Sequence, residues 1–92
     1  MNIYLVKRID SVSYDEYDSF ICTAKNEISA RKTHPCFTFY EHRNNRWFDT
    51  RAGNNAIGCN YWINDIETLV IENIGISQSE NECVILASYN AG

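Results

Sequence analysis

The stretch FICTAKNEISARK, residues 20–32, decides the fold that the sequence predicts. Residues 20–24 are aromatic, β-branched or small and apolar, which is typical of a strand. Asn26 follows as a candidate helix N-cap, and Glu27 suits the first turn of a helix. Pro35 ends this helix, because proline lacks the backbone N–H that a helix interior needs. A strand leading directly into one short helix is therefore predicted.

Further strands are predicted on both sides of this stretch. Residues 2–8 form the first strand, and the polar connection 10–18 is too short for a helical crossover, so the first two strands pair antiparallel. After the helix, strands are predicted at 36–40, 67–74 and 83–89, with the last two as partners. Residues 46–49 could form a further short strand, with Asn44-Asn45 as the turn before it. The sequence thus predicts an α+β fold, a small antiparallel sheet of about five strands with one helix packed on it, in the order β-β-α-β-β-β. With 92 residues, we expect residues 1–92 to form a single compact domain.

Charge is distributed unevenly along the chain. The net charge is −4, yet residues 31–51 carry five basic and two acidic side chains, whereas residues 52–92 have no Lys or Arg. An acidic chain repels duplex DNA, whose binding depends on neutralising phosphates, so duplex DNA is not an expected partner. The local basic segment can still bind a small anion.

The N-terminus and the apolar runs bear on localisation. Unbroken apolar runs reach only four or five residues, such as Val84-Ile85-Leu86-Ala87, so no membrane partner is expected. The first charges, at Lys7 and Arg8, follow a short apolar run, which is the reverse of a secretory signal. The sequence therefore predicts a cytoplasmic protein.

Cysteine and histidine spacing gives little support for metal or catalytic chemistry. The four cysteines form no C-x-x-C pair, and the only metal-like cluster is His34, Cys36 and His42. Cys36 could also form a nucleophile pair with either histidine, but nearness in sequence does not create the required geometry. We therefore predict no catalytic residues, no metal and no cofactor. A small phosphodiesterase acting through His34 or His42 is the enzymatic alternative.

The basic segment 31–51 contains the richest candidate binding residues, because its arginines are interspersed with aromatic side chains. Guanidinium groups bind phosphate through paired hydrogen bonds, and aromatic rings stack on bases. The segment Tyr14–Asp18 and the C-terminus add tyrosine and asparagine groups suited to binding surfaces. The candidate ligand-binding residues are Arg43, Arg46, Trp47, Arg51, Tyr14, Tyr17 and Asn90. Two alternatives remain open: the segment is a solvated rim over an aromatic core that includes Trp47, and the tyrosines cover a sheet edge.

Several stretches resemble small proteins of bacteriophage and prophage genomes. They are IYLVKR (3–8), SYDEYDSF (13–20), Ala30-Arg31 followed by His34-Pro35, and ASYNAG (87–92). The resemblance implies a compact phage protein in the host cytoplasm that acts by binding and blocks host defence, either by occupying a defence protein or by sequestering a nucleotide signal. Together with the arginine–aromatic segment, the small size and the absence of catalytic motifs, it leads us to predict a non-enzymatic protein that counteracts bacterial immunity by sequestering a nucleotide-derived immune signal. The alternative it leaves is a protein-binding inhibitor of a host defence complex of CRISPR or restriction type. Because small subunits commonly build ligand pockets between protomers, we also expect a homo-oligomer.

Overall fold

A central strand pair organises the computed structural model, which describes residues 1–10, 16–36, 40–51, 62–78 and 80–90. Strands β1 (Asn2–Lys7) and β2 (Glu16–Ala24) are antiparallel, as the sequence predicted. Their register puts Tyr4 opposite Cys22 and Val6 opposite Phe20, and all four side chains are buried. Since side chains alternate along a strand, these residues define the inner face of the sheet, which carries the core.

The two C-terminal strands lie at opposite edges of this sheet. Strand β5 (Val70–Ile76) pairs with β1 and strand β6 (Cys83–Asn90) pairs with β2, giving the order β5-β1-β2-β6. The prediction that these two strands pair with each other is therefore wrong. Three strand spacings separate them, roughly 14 Å, and the connection 77–82 can extend to about 20 Å. The connection passes the end of β1, where the Ser77 backbone N–H donates to the Met1 carbonyl over 2.7 Å.

The predicted helix is present but short. Helix α1 spans Glu27–Arg31, and the Asn26 side chain accepts a hydrogen bond from the Ser29 backbone N–H at 2.9 Å, which confirms the predicted N-cap. Ala30 is buried against the inner face of the sheet. No helix among the described residues is long and apolar enough to cross a membrane.

A separate two-stranded hairpin completes the fold. Strands β3 (Tyr40–Arg43) and β4 (Arg46–Asp49) are antiparallel, and Asn44 and Asn45 form the predicted turn with φ values of 51° and 60°. Such left-handed residues match the twist of a two-residue hairpin. The described residues thus form six strands and one short helix, which confirms the α+β class with a small antiparallel sheet. Of the predicted strand 36–40, residues 37–39 lie outside the described residues.

One arginine fastens the helix to the segment that precedes β5. Arg31 Nη1 donates hydrogen bonds to the backbone carbonyls of Ile66 at 2.7 Å and Leu69 at 3.0 Å, at the two ends of the 3₁₀ turn Ile66–Thr68. The Ile66 carbonyl also accepts the Leu69 backbone N–H at 3.2 Å, so Arg31 adds charged hydrogen bonds to a turn that its own backbone already closes. Arg31 is therefore a structural residue of the basic segment.

Replacing Arg31 with methionine is expected to lower the free energy of unfolding by roughly 1.5–3 kcal/mol, because methionine keeps the apolar stem and loses charged hydrogen bonds. Arg46→Met is the matched control and should change it by less than about 0.5 kcal/mol, since Arg46 is exposed. Urea denaturation of both variants measures the difference. Equal effects would show that the Arg31 hydrogen bonds do not stabilise the fold.

Candidate functional site

The β3–β4 hairpin has two chemically different faces. Its register pairs Arg43 with Arg46 and His42 with Trp47. Because successive side chains point to opposite faces, the first pair lies on one side of the hairpin and the second pair on the other. The solvent exposure of the side chains agrees with this arrangement, since both arginines are exposed and Trp47 is fully buried. We call the first side the outer face and the second the inner face.

Trp47 belongs to the core of the protein. Its side chain is 0% exposed, and its indole Nε1–H donates to the Ile63 carbonyl at 2.7 Å. The rings of His34 and His42 contact it edge to face, with centroid distances of 5.1 and 5.0 Å. The ring therefore offers no open face for stacking, and of the two roles considered for Trp47, this arrangement corresponds to the core position.

The outer face brings Arg43 and Arg46 together beside the turn. Directly opposite residues of an antiparallel pair have Cβ atoms about 5 Å apart, and like charges in that position repel each other. Glu41 lies 3.9 Å from the Arg43 guanidinium, and both side chains are largely exposed, so this ion pair is weak. No ion pair to Arg46 is formed by the described residues. The pair thus presents concentrated positive charge that a bound anion would neutralise.

Phe48 supplies the aromatic part of the outer face. The Arg43 guanidinium carbon lies 4.8 Å from the centre of the Phe48 ring, a cation–π contact that limits the motion of the arginine. Phe48 is half-buried, so part of its surface remains open. Phe48 was not among the predicted site residues, although strict alternation from the Asn44-Asn45 turn would have placed it on the face of Arg46.

The other predicted ligand residues are placed elsewhere. Arg51 binds Asp49 through two hydrogen bonds, Nε to Oδ1 at 3.1 Å and Nη2 to Oδ2 at 3.0 Å, and this contact lowers the pKa of the Asp49 carboxyl. The Arg51 guanidinium is thus already held by a two-hydrogen-bond contact with Asp49. Tyr17 is half-buried in β2 and packs against the core. Asn90 ends β6 in register with Glu16, so its backbone is near Tyr17 in the main sheet. Tyr14 lies outside the described residues.

A pocket of about 170 Å³ lies on the inner side of the hairpin, between the end of α1, strand β3 and the start of β6. Typical small-molecule pockets have volumes of roughly 300–1,000 Å³, so this one is too small to enclose a nucleotide. Its lining residues are Lys32, Thr33, His34, Tyr40, Glu82, Cys83 and Val84.

His34, which lines this pocket, is a neutral core histidine. It is 3% exposed, and burial lowers its pKa from 6.5 to about 4. Its Nδ1 accepts a hydrogen bond from the Cys36 backbone N–H at 3.0 Å, so Nδ1 does not activate a thiol. Among the residues that the structure describes, no group of three His, Cys, Asp or Glu side chains could hold a metal ion.

Comparison of the chain with protein-family models, curated proteins and solved structures gave no match. The functional assignment therefore depends on the charge and geometry of the outer face of the hairpin.

Proposed function

We propose that this protein is a non-enzymatic binding protein that holds a small, phosphate-bearing, nucleotide-like ligand on the outer face of the β3–β4 hairpin. The observation that carries the proposal is the cross-strand pairing of Arg43 with Arg46. Two guanidinium groups at this spacing can contact the oxygens of one phosphate or of two linked phosphates, and each can donate two parallel hydrogen bonds. A bound anion would also relieve the repulsion between them.

Phe48 supports a ligand that contains a base as well as a phosphate. The Arg43 guanidinium lies over the Phe48 ring, and a purine or pyrimidine can stack on the exposed surface of this ring–guanidinium pair while the guanidinium N–H groups contact the phosphate. Arginine stays protonated at neutral pH and phenylalanine has no ionisable group, so both bind a ligand without transferring a proton to it. This chemistry supports binding rather than turnover.

The biological setting of the proposal comes from the sequence. The resemblance to small bacteriophage proteins, together with this binding chemistry, leads us to propose that the protein sequesters a nucleotide-derived signal of bacterial immunity in the host cytoplasm. A protein that sequesters its ligand leaves the ligand chemically unchanged. Ligand recovered from the denatured complex should therefore have an unchanged mass.

Arg43→Ala and Arg46→Ala should each weaken binding at least tenfold, because each removes a charged hydrogen bond worth roughly 1.5–3 kcal/mol. Calorimetric titration with ADP-ribose, a cyclic mononucleotide and a cyclic dinucleotide measures the effect. Arg51→Ala is the matched control and should leave affinity almost unchanged, since Asp49 already holds its guanidinium.

The base-stacking part of the proposal is tested with Phe48→Leu. This variant should weaken binding of a nucleotide but not of inorganic pyrophosphate, which contains no base. Wild-type affinity in both Arg43→Ala and Arg46→Ala would contradict the proposed site.

A further inference from the structure

We infer that a second copy of this chain pairs antiparallel with the outer edge of β6, so that two four-stranded sheets join into one continuous sheet about a two-fold axis at Leu86. This inference does not depend on the proposed function. It rests on three features of β6: its edge position, its exposed apolar side chains and the charges that precede it.

The outer edge of β6 has the properties of a pairing edge. Strand β6 is the last in the order β5-β1-β2-β6, and no strand among the described residues pairs with its far side. Edge strands of monomeric proteins are usually protected by charged residues or proline. The eight residues Cys83–Asn90 include neither, whereas β5 at the opposite edge carries Glu72. Among the residues that the structure describes, the far side of β6 therefore has neither a strand partner nor a charged side chain within the strand to protect it.

Two adjacent apolar side chains of β6 are exposed at this edge. Val84 and Ala87 pack against the core, while Ile85 is 55% and Leu86 is 63% exposed. A register shift between β2 and β6 inserts one extra residue at this point, which explains why neither Ile85 nor Leu86 turns inward. Both side chains therefore lie on the face of the main sheet that points away from the core.

An apolar row continues from Leu86 across the main sheet. Leu86 lies opposite Ile21, and Ile21 lies opposite Leu5, so the three residues form one row on the face away from the core. A partner strand that places its own Leu86 beside this one would extend the row across the junction. Burial of this surface would then add to the main-chain hydrogen bonds.

Charge selects the antiparallel, self-paired arrangement. Glu80 and Glu82 come immediately before β6. In a parallel pair each would lie beside its own copy, and like charges directly opposite each other destabilise a sheet. In the antiparallel pair centred at Leu86, Glu82 lies opposite the neutral Asn90. A two-fold axis also closes the assembly at two chains, whereas pairing of β6 with β5 of another copy would continue indefinitely.

The first test is the mass of the wild-type protein and two variants, measured by light scattering at matched concentration. We expect the wild type and Ile76→Lys to be dimers and Leu86→Lys to be a monomer. Ile76 is the control because it is 81% exposed, but on β5. A monomeric wild type, a dimer that survives Leu86→Lys, or a dimer lost in Ile76→Lys would each overturn the inference.

The second test reports the register and does not need a disruptive substitution. Leu86→Cys in a Cys83→Ser background should form a disulfide-linked dimer under a mild oxidant, because the two copies of residue 86 lie opposite each other across the axis. Ile76→Cys in the same background should not. Peptide mapping that finds no bond between the two copies of residue 86, or equal linkage in the Ile76→Cys control, would overturn the proposed pairing.

Discussion

Replacing Trp47 with alanine is expected to lower the free energy of unfolding by about 3–5 kcal/mol. The side chain is fully buried, and no smaller residue can fill the space between the rings of His34 and His42. The change also removes the indole N–H from the Ile63 carbonyl, which then loses that hydrogen bond. Urea denaturation at neutral pH measures the loss.

Phe48→Ala is the matched control for Trp47→Ala, because it removes a neighbouring aromatic ring from the opposite face of the same strand. Phe48 is only half-buried, so the loss of stability should be clearly smaller. If the two variants lose the same stability, Trp47 is not the core anchor of the hairpin, and the assignment of inner and outer faces fails with it.

Acidification from about pH 7 to about pH 4 is expected to remove about 3 kcal/mol of stability through His34. In the unfolded chain this histidine takes up a proton near pH 6.5, whereas in the folded protein burial lowers its pKa to about 4. The contribution of neutral His34 to the free energy of unfolding is thus complete above pH 6.5 and falls progressively as the pH drops toward 4. Below pH 4 it changes little further. Denaturant titrations across this range measure the slope.

His34→Phe is the control that isolates this effect. A neutral ring in the same position should leave stability almost independent of pH between 6.5 and 4. Carboxylates that are paired with arginine affect stability only at lower pH. Arg8 lies 2.6 Å from Asp10 and lowers the pKa of that carboxyl below 3.8. The contribution of this ion pair to stability is therefore lost only in stronger acid. A slope that persists in His34→Phe would show that another group dominates.

The local elements and the antiparallel β1–β2 pair were predictable from the sequence, whereas the positions of the last two strands in the sheet were not. The Asn26 cap and the Asn44-Asn45 turn depend on a few adjacent residues, so their side-chain chemistry was sufficient to find them. The neighbour of β5 depends on which of the two open edges of the β1–β2 pair this strand occupies. The sequence predicted that the last two strands pair with each other, but the connection 77–82 is long enough to span the end of the sheet.

The candidate site was found in part. Composition located the basic segment, and Arg43 and Arg46 lie on one exposed face of it. Composition could not separate Trp47 from Phe48, because both are aromatic neighbours of arginine. Only the alternation that starts at the turn assigns one to the core and the other to the surface. Arg51 also required the structure, since its pairing with Asp49 is a side-chain contact.

The central claim is that the outer face of the hairpin binds a phosphate-bearing nucleotide-like ligand. An NMR titration that follows the backbone amide resonances tests it most directly. The titrants are ADP-ribose, a cyclic mononucleotide and a cyclic dinucleotide, each added to the isotope-labelled wild type and to the Arg43→Ala/Arg46→Ala double variant. We predict that at least one of them shifts the resonances of residues 41–48 in the wild type and leaves those of the double variant unchanged. No shift with any of the three, or shifts concentrated around His34 and Glu82, would contradict the claim.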